Sequence, residues 1–165
     1  MNVTLEPRFS SFAEILRYQA SGIRGSDTDP AFTFIEDDKV VQCMSFRALY
    51  QQARSIACHL QSETQPGDRA LLLYPPGLEF ISAFFGCLYA GVIAVPAVLP
   101  TSAKTLPRLH LIARDATPSA VLTTAKVRDR FWEQSAQLSP ELAAASWLAA
   151  KQPGFSNGTG AQTWD

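Results

Sequence analysis

The sequence is poor in charge. Charged side chains make up 18% of the 165 residues, below the roughly 25% typical of soluble domains. The 14 basic and 15 acidic residues nearly cancel, leaving a net charge of -1, and no run of like charges forms a tail. Nucleic-acid binding is therefore not expected, because the phosphate backbone attracts proteins that carry a surplus of basic residues.

Patterns typical of metal sites and disulfide frameworks are also missing. The three cysteines, Cys43, Cys58 and Cys87, form no Cys-x-x-Cys pair, and there are only two histidines, so no metal ligand is predicted. The N-terminus has no basic segment followed by the apolar core of a secretory signal. These features together predict a reduced, cytoplasmic setting.

One long apolar run resembles a membrane span. Residues 80–99 contain no charged side chain, which meets the length of about 20 residues for a transmembrane helix. However, Gly91 interrupts the helical pattern, β-branched residues follow it, and Pro96 and Pro100 would break a helix. We therefore expect a buried helix, a glycine cap and a buried strand, with no membrane span.

The remaining pattern predicts an α/β fold. Ser11 and Ser45 precede amphipathic helices, and segments 31–35 and 40–44 between them predict a β-hairpin. From Arg69 onward, apolar strands alternate with helices, which is typical of a mostly parallel sheet covered by helices. The predicted elements there are strands 69–74, 92–96 and 120–123 and helices 78–90, 106–116, 126–138 and 140–150.

Residues 1–150 are predicted to form one α/β unit. Residues 151–165 are rich in glycine, serine and threonine without periodicity, so we expect a loop or frayed C-terminal tail. Because strand 120–123 is the last one predicted, it should form a sheet edge with unpaired backbone groups. Since a net charge of -1 gives little repulsion between copies, the isolated chain is expected to self-associate.

The candidate ligand site lies at the carboxyl ends of the strands, where open parallel sheets bind ligands. The segment Pro75-Pro76-Gly77 stands there in place of a glycine-rich phosphate loop, and prolines have no N–H to donate to a phosphate. We interpret Pro75, Pro76 and Gly77 as a rigid turn or as the wall of an apolar substrate channel. Helix 78–90 is expected to add a further wall.

Gly77 is expected to need a positive φ or to allow close approach of strand and helix. On that hypothesis, Gly77→Val destabilises the chain by roughly 1 to 3 kcal/mol.

No catalytic residue is assigned from the sequence. His59 and His110 have no cysteine or serine nucleophile placed beside them, and the acidic residues on the later helices have basic neighbours, as on an ordinary surface. The sequence therefore predicts no catalytic group and no cofactor bound by this chain.

The run from Gly67 to Pro96, with Tyr74-Pro75-Pro76-Gly77-Leu78 at its centre, closely resembles the N-terminal region of fatty acyl-AMP ligases in the adenylate-forming superfamily. The resemblance extends over roughly residues 10 to 135. One departure follows Pro96, where these ligases often carry an aromatic residue and paired prolines and this chain has Val98-Leu99-Pro100-Thr101.

This resemblance implies an incomplete N-terminal subdomain of an adenylate-forming enzyme. It also implies a reaction in which a fatty acid carboxylate attacks the α-phosphate of ATP, with Mg²⁺, to give an acyl-adenylate and pyrophosphate. The acyl group then passes to the phosphopantetheine of an acyl carrier protein, for lipid or polyketide assembly.

The family's nucleotide loop and catalytic lysine lie beyond the matched region, so this chain alone is expected to be inactive. Two alternatives remain: a fragment of an acyl-CoA ligase or peptide-synthetase adenylation domain, and a self-standing small α/β binding or interaction module without catalysis.

Overall fold

The computed structural model describes residues 9–22, 30–100, 102, 104–133, 138–150 and 163–164. Helices and strands alternate along most of this length. The helices are α1 Phe12–Ala20, α2 Phe46–Glu63, α3 Leu78–Ala90, α4 Leu106–Ala116, α5 Ala125–Glu133 and α6 Pro140–Ala144; the strands are β1 Pro30–Glu36, β2 Lys39–Ser45, β3 Arg69–Leu73, β4 Ile93–Pro96, β5 Ala120–Thr124, β6 Ser146–Ala150 and β7 Thr163–Trp164.

Both predicted serine caps are confirmed. The Ser11 hydroxyl accepts from the Glu14 amide at 3.2 Å, and the Ser45 hydroxyl accepts from the Ala48 amide at 3.2 Å. The Glu14 carboxylate in turn accepts from the Ser10 amide at 2.8 Å, which holds the pKa of Glu14 below its usual value. These bonds satisfy amides that the first turn of a helix leaves unpaired.

Strands β1 and β2 form the predicted hairpin, an antiparallel sheet of their own. Asp37 and Asp38 turn the chain with φ angles of 49° and 59°. Aspartate tolerates this left-handed region better than most residues, so the turn forms without the usual Asn-Gly pair.

The main sheet has five strands in the order β4-β3-β5-β6-β7, all parallel, which confirms the predicted fold class. Strand β3 lies inside it, and its side chains alternate between two cores. Leu72 and Tyr74 pack with α2 and α3, whereas Leu71 and Leu73 pack on the opposite face with α4, α5 and α6. The sheet is thus covered on both faces, as its apolar strands require.

The long apolar run divides into a helix, a glycine cap and a strand as predicted, but the strand is not buried as expected: β4 lies at the edge of the sheet, and Ile93 is 50% exposed. Helix α3 ends at Ala90, Gly91 caps it with a φ of 73°, and β4 begins at Ile93. Among the described residues, no helix is both long and apolar enough to cross a membrane.

The helix predicted for residues 140–150 is wrong in its second half. Helix α6 ends at Ala144, and Ser146–Ala150 forms β6, which pairs with β5 in parallel register. Leu148 and Ala149 are buried between their neighbours at 1% and 0% exposure. Burial in the sheet therefore outweighs the helical preference of an alanine-rich segment.

The prediction that β5 forms an edge of the sheet is also wrong, because β6 pairs with β5. Thr163–Trp164, within the segment predicted as a tail, pairs with β6 as β7; residues 151–162 and 165 lie outside the described residues.

In the described part of the chain, β4 forms one edge of the sheet. The Ile93 amide donates to the Asp68 carbonyl just before β3, and the Ala97 amide donates to the Leu72 carbonyl in β3. Because alternate residues of a parallel strand bond to the same neighbour, the backbone of Pro96 faces away from β3, and proline has no N–H to donate to a further strand. A short strand with proline discourages strand addition. Self-association stays a prediction.

The prediction that Gly77 has a positive φ or allows close approach of strand and helix is wrong. Its φ of 161° is extended backbone, and an added Cβ would meet only the flexible Glu79 carboxylate, at 2.7 Å from Oε2. Helices α2 and α3 approach each other closely at Gly86. A Cβ added to Gly86 would lie 2.7 Å from the Cβ of Ile56 on α2 and would overlap that side chain.

We expect Gly86→Val to lower the free energy of unfolding by about 1 to 3 kcal/mol, because the added side chain must push α2 away from α3. Gly77→Val is the matched control and should cost less than about 1 kcal/mol. Urea unfolding of the two variants measures both values. An equal or larger loss for Gly77→Val would contradict the structure.

Candidate functional site

An apolar cavity lies at the carboxyl ends of β3 and β4. Its volume is about 570 Å³, within the range of about 300 to 1,000 Å³ usual for small-molecule sites. The residues around it come from the segments that follow the two strands and from the first turn of α3. They are Tyr74, Pro75, Pro76, Gly77, Phe80, Ala97, Val98 and Leu99.

Adjacent parallel strands bring these segments together. Strand β3 ends at Leu73, and Pro75-Pro76-Gly77 carries the chain directly to Leu78, where α3 starts. The Ala97 amide donates to the Leu72 carbonyl at 3.1 Å, which holds the exit of β4 beside the exit of β3. The cavity therefore forms where the chain leaves the sheet at the ends of β3 and β4.

The walls of the cavity are unsuited to a phosphate. None of the lining side chains is charged, and Pro75 and Pro76 have no N–H to donate. Glu79 lies in the first turn of α3, so a carboxylate already occupies the electropositive end of that helix. A site with these walls favours an apolar ligand.

The described part of the chain has no group of three or more His, Cys, Asp or Glu residues that could hold a metal ion. The residues that line the cavity offer no charged side chain to a triphosphate or its divalent cation.

Tyr74 places a polar atom within the apolar core. Its side chain is buried, and its hydroxyl has no hydrogen-bond partner among the described residues. Burial raises the pKa of Tyr74 well above its ordinary value, so the hydroxyl stays neutral. The neighbouring strand shows the contrast, because the buried Thr123 hydroxyl donates to the Leu73 carbonyl at 2.6 Å.

The thiol of Cys87 is buried beside this core. Burial raises its pKa to about 12, so it remains protonated and unreactive near neutral pH. Cys43 and Cys58 are exposed.

Neither histidine lines the cavity. His59 Nδ1 donates to the Ser55 carbonyl at 2.9 Å within α2, and His110 Nε2 is buried without a partner among the described residues.

The structure brings together the segments that follow two of the three strands predicted from the sequence. Pro75, Pro76 and Gly77 line the cavity with Ala97–Leu99, whereas the end of β5 does not contribute. There Thr124 instead caps α5 by accepting from the Val127 amide at 3.3 Å. Sequence reasoning did not single out Phe80, although it expected helix 78–90 to form a wall.

A comparison with known families identifies the chain. The model of the family described as AMP-binding enzyme matches residues 23–158. The chain therefore belongs to the AMP-binding enzyme family, and its likeness to fatty acyl-AMP ligases is confirmed by the relatives that follow.

Two sequence relatives show this likeness. The medium-chain-fatty-acid–acyl-carrier-protein ligase JamA of Moorena producens is 39% identical over 149 residues, covering 88% of this chain and 25% of the relative. The long-chain-fatty-acid–AMP ligase FadD32 of Mycolicibacterium smegmatis is 39% identical over 131 residues, covering 72% of this chain and 21% of the relative.

A solved structure agrees with them. The fatty acid AMP ligase from Legionella pneumophila superposes with a TM-score of 0.71 at 35% identity, covering 83% of this chain and 23% of that structure. The chain thus spans about a quarter of the length of these proteins, corresponding to their N-terminal part.

We expect Tyr74→Phe to raise the free energy of unfolding by up to about 1 kcal/mol, because it removes a buried hydroxyl without a partner. Thr123→Val is the control of opposite sign and should lower that free energy by about 1 kcal/mol through loss of its hydrogen bond. Urea titrations measure both. A marked loss of stability in Tyr74→Phe would show that its hydroxyl has a partner.

Thiol accessibility provides a second test. With a disulfide reagent at mildly alkaline pH, Cys43 and Cys58 should react rapidly, whereas Cys87 should react only after denaturation because it is buried and protonated. Single-cysteine variants assign each thiol by mass spectrometry. Rapid reaction of Cys87 in the native chain would contradict the described packing.

Proposed function

We propose that this chain is the N-terminal part of a fatty acyl-AMP ligase and that its cavity binds part of the alkyl chain of a fatty acid. The observation that carries the proposal is the uncharged cavity at the ends of β3 and β4. Support comes from the names of its relatives, which are ligases of medium-chain and long-chain fatty acids.

An alkyl chain suits these walls for a physical reason. Each methylene moved from water to an apolar site contributes about 0.8 kcal/mol, and the single polar side chain of the lining is Tyr74, whose neutral hydroxyl is buried. Pro75 and Pro76 supply a stiff wall, since their rings restrict the backbone. The carboxylate of the fatty acid would remain outside, because no lining side chain is cationic.

The rest of the reaction is proposed for the whole ligase. The fatty acid carboxylate would attack the α-phosphorus of ATP and displace pyrophosphate, and the phosphopantetheine thiol of an acyl carrier protein would then attack the acyl carbon of the adenylate and release AMP. Mg²⁺, when bound, would neutralise charge on the phosphates. Acyl transfer to a carrier protein is the activity in the name of JamA. For this chain we propose the fold and the wall of the alkyl-chain cavity as its contribution to that reaction.

The cellular setting is proposed as cytoplasmic. All three cysteines are free, which fits a reducing compartment.

The 165-residue chain should therefore bind fatty acids without activating them. We expect saturable displacement of a fluorescent fatty-acid analogue by dodecanoate, together with no fatty-acid-dependent exchange between ATP and pyrophosphate. Dodecyl alcohol should compete comparably, because the cavity contacts the alkyl chain and not the carboxylate.

Two results would contradict the proposal. Exchange above that of a protein-free control would show that the chain holds a complete catalytic site. Absence of any fatty-acid binding would favour an interaction module without a lipid ligand.

A further inference from the structure

Phe80 is the aromatic side chain that α3 contributes to the cavity. It is half-buried, and its ring stacks on Phe84, one turn further along the helix, with centroids 6.5 Å apart and planes inclined by 24°. Phe84 in turn meets Phe85 edge to face at 6.0 Å. Neither Phe84 nor Phe85 lines the cavity, so Phe80 is the one of these three rings that reaches it.

The other residues that line the cavity have less influence on its size. Pro75, Pro76 and Gly77 are part of the backbone turn, Ala97 is small, and Val98 is 72% exposed at the rim. Leu99 is larger, but it packs against the core on the α4 side of the sheet. The Tyr74 ring packs in the core between the sheet and α3. Phe80 is thus the large side chain that α3 places against the cavity.

We propose that Phe80 determines the length of alkyl chain that the cavity accepts. This inference rests on the proposed fatty-acid binding. A chain short enough to end at the Phe80 ring contacts the apolar walls along its length, whereas each further methylene remains in water or has to displace a ring that stacks on Phe84. Within the space available, each buried methylene should strengthen binding about fourfold, and the gain should stop where the chain reaches Phe80.

The experiment measures dissociation constants for saturated fatty acids from hexanoate to octadecanoate, by displacement of a fluorescent fatty-acid analogue from the 165-residue chain. We expect affinity to rise with length and then level off. In Phe80→Ala, the plateau should move to chains longer by about two to four carbons, because the deleted ring leaves a cavity that the chain can fill. Phe80→Leu, which keeps an apolar side chain of moderate size, should show a smaller shift in the same direction.

Phe85→Ala is the matched control. It removes the same ring from the same helix, but Phe85 packs against the hairpin side of α3 and does not line the cavity. Its plateau should coincide with that of the unmodified chain. Should Phe80→Ala not fold, as judged by circular dichroism, Phe80→Leu alone decides the question.

The outcomes separate the two proposals. If the unmodified chain binds fatty acids and its plateau is unchanged in the Phe80 variants, the role of Phe80 is overturned while fatty-acid binding stands. An equal shift in Phe85→Ala overturns the role of Phe80 as well. If the unmodified chain binds no fatty acid of any length, the proposed function fails and the inference fails with it.

Discussion

The burial of β3 on both faces is the constraint on which the rest of the structure depends. Leu71, Leu72 and Leu73 are fully buried, and parallel neighbours pair with both edges of the strand. One strand thus joins the core under α2 and α3 to the core under α4, α5 and α6. A strand with apolar side chains on both faces is stable only when helices cover each face, so the alternating order of the chain follows from this requirement.

The apolar character of the cavity follows from the way β3 ends. A strand that leaves a parallel sheet would ordinarily present backbone amides at the following helix N-terminus, where anions bind. Here Pro75 and Pro76 leave the turn before that helix without two N–H donors, and Glu79 places a carboxylate in the first turn. The same topological position that binds phosphates in other α/β proteins is therefore suited in this chain to a hydrocarbon.

Tight packing of α3 against its neighbours positions the cavity wall. Gly86 lets α2 approach so closely that Ile56 fills the space of a side chain, while Tyr89 donates from its hydroxyl to the Ala13 carbonyl at 2.6 Å and thereby ties α1 to the same helix. With α3 held in this way, its first turn and Phe80 have a defined place beside the strand ends. Packing far from the cavity thus shapes the cavity.

The sequence by itself determined most of the helices and strands of this protein, whereas the contacts between them were decided by tertiary structure. Helices α3 and α4 begin and end where periodicity, Gly91 and the flanking prolines indicated, because those signals act within a few residues. Residues 146–150 became a strand through pairing with β5, and Gly86 became the critical glycine through Ile56 on another helix. Phe80 joined the cavity because β4 runs beside β3. Each of these depends on residues distant in sequence, and local patterns carry no information about such contacts.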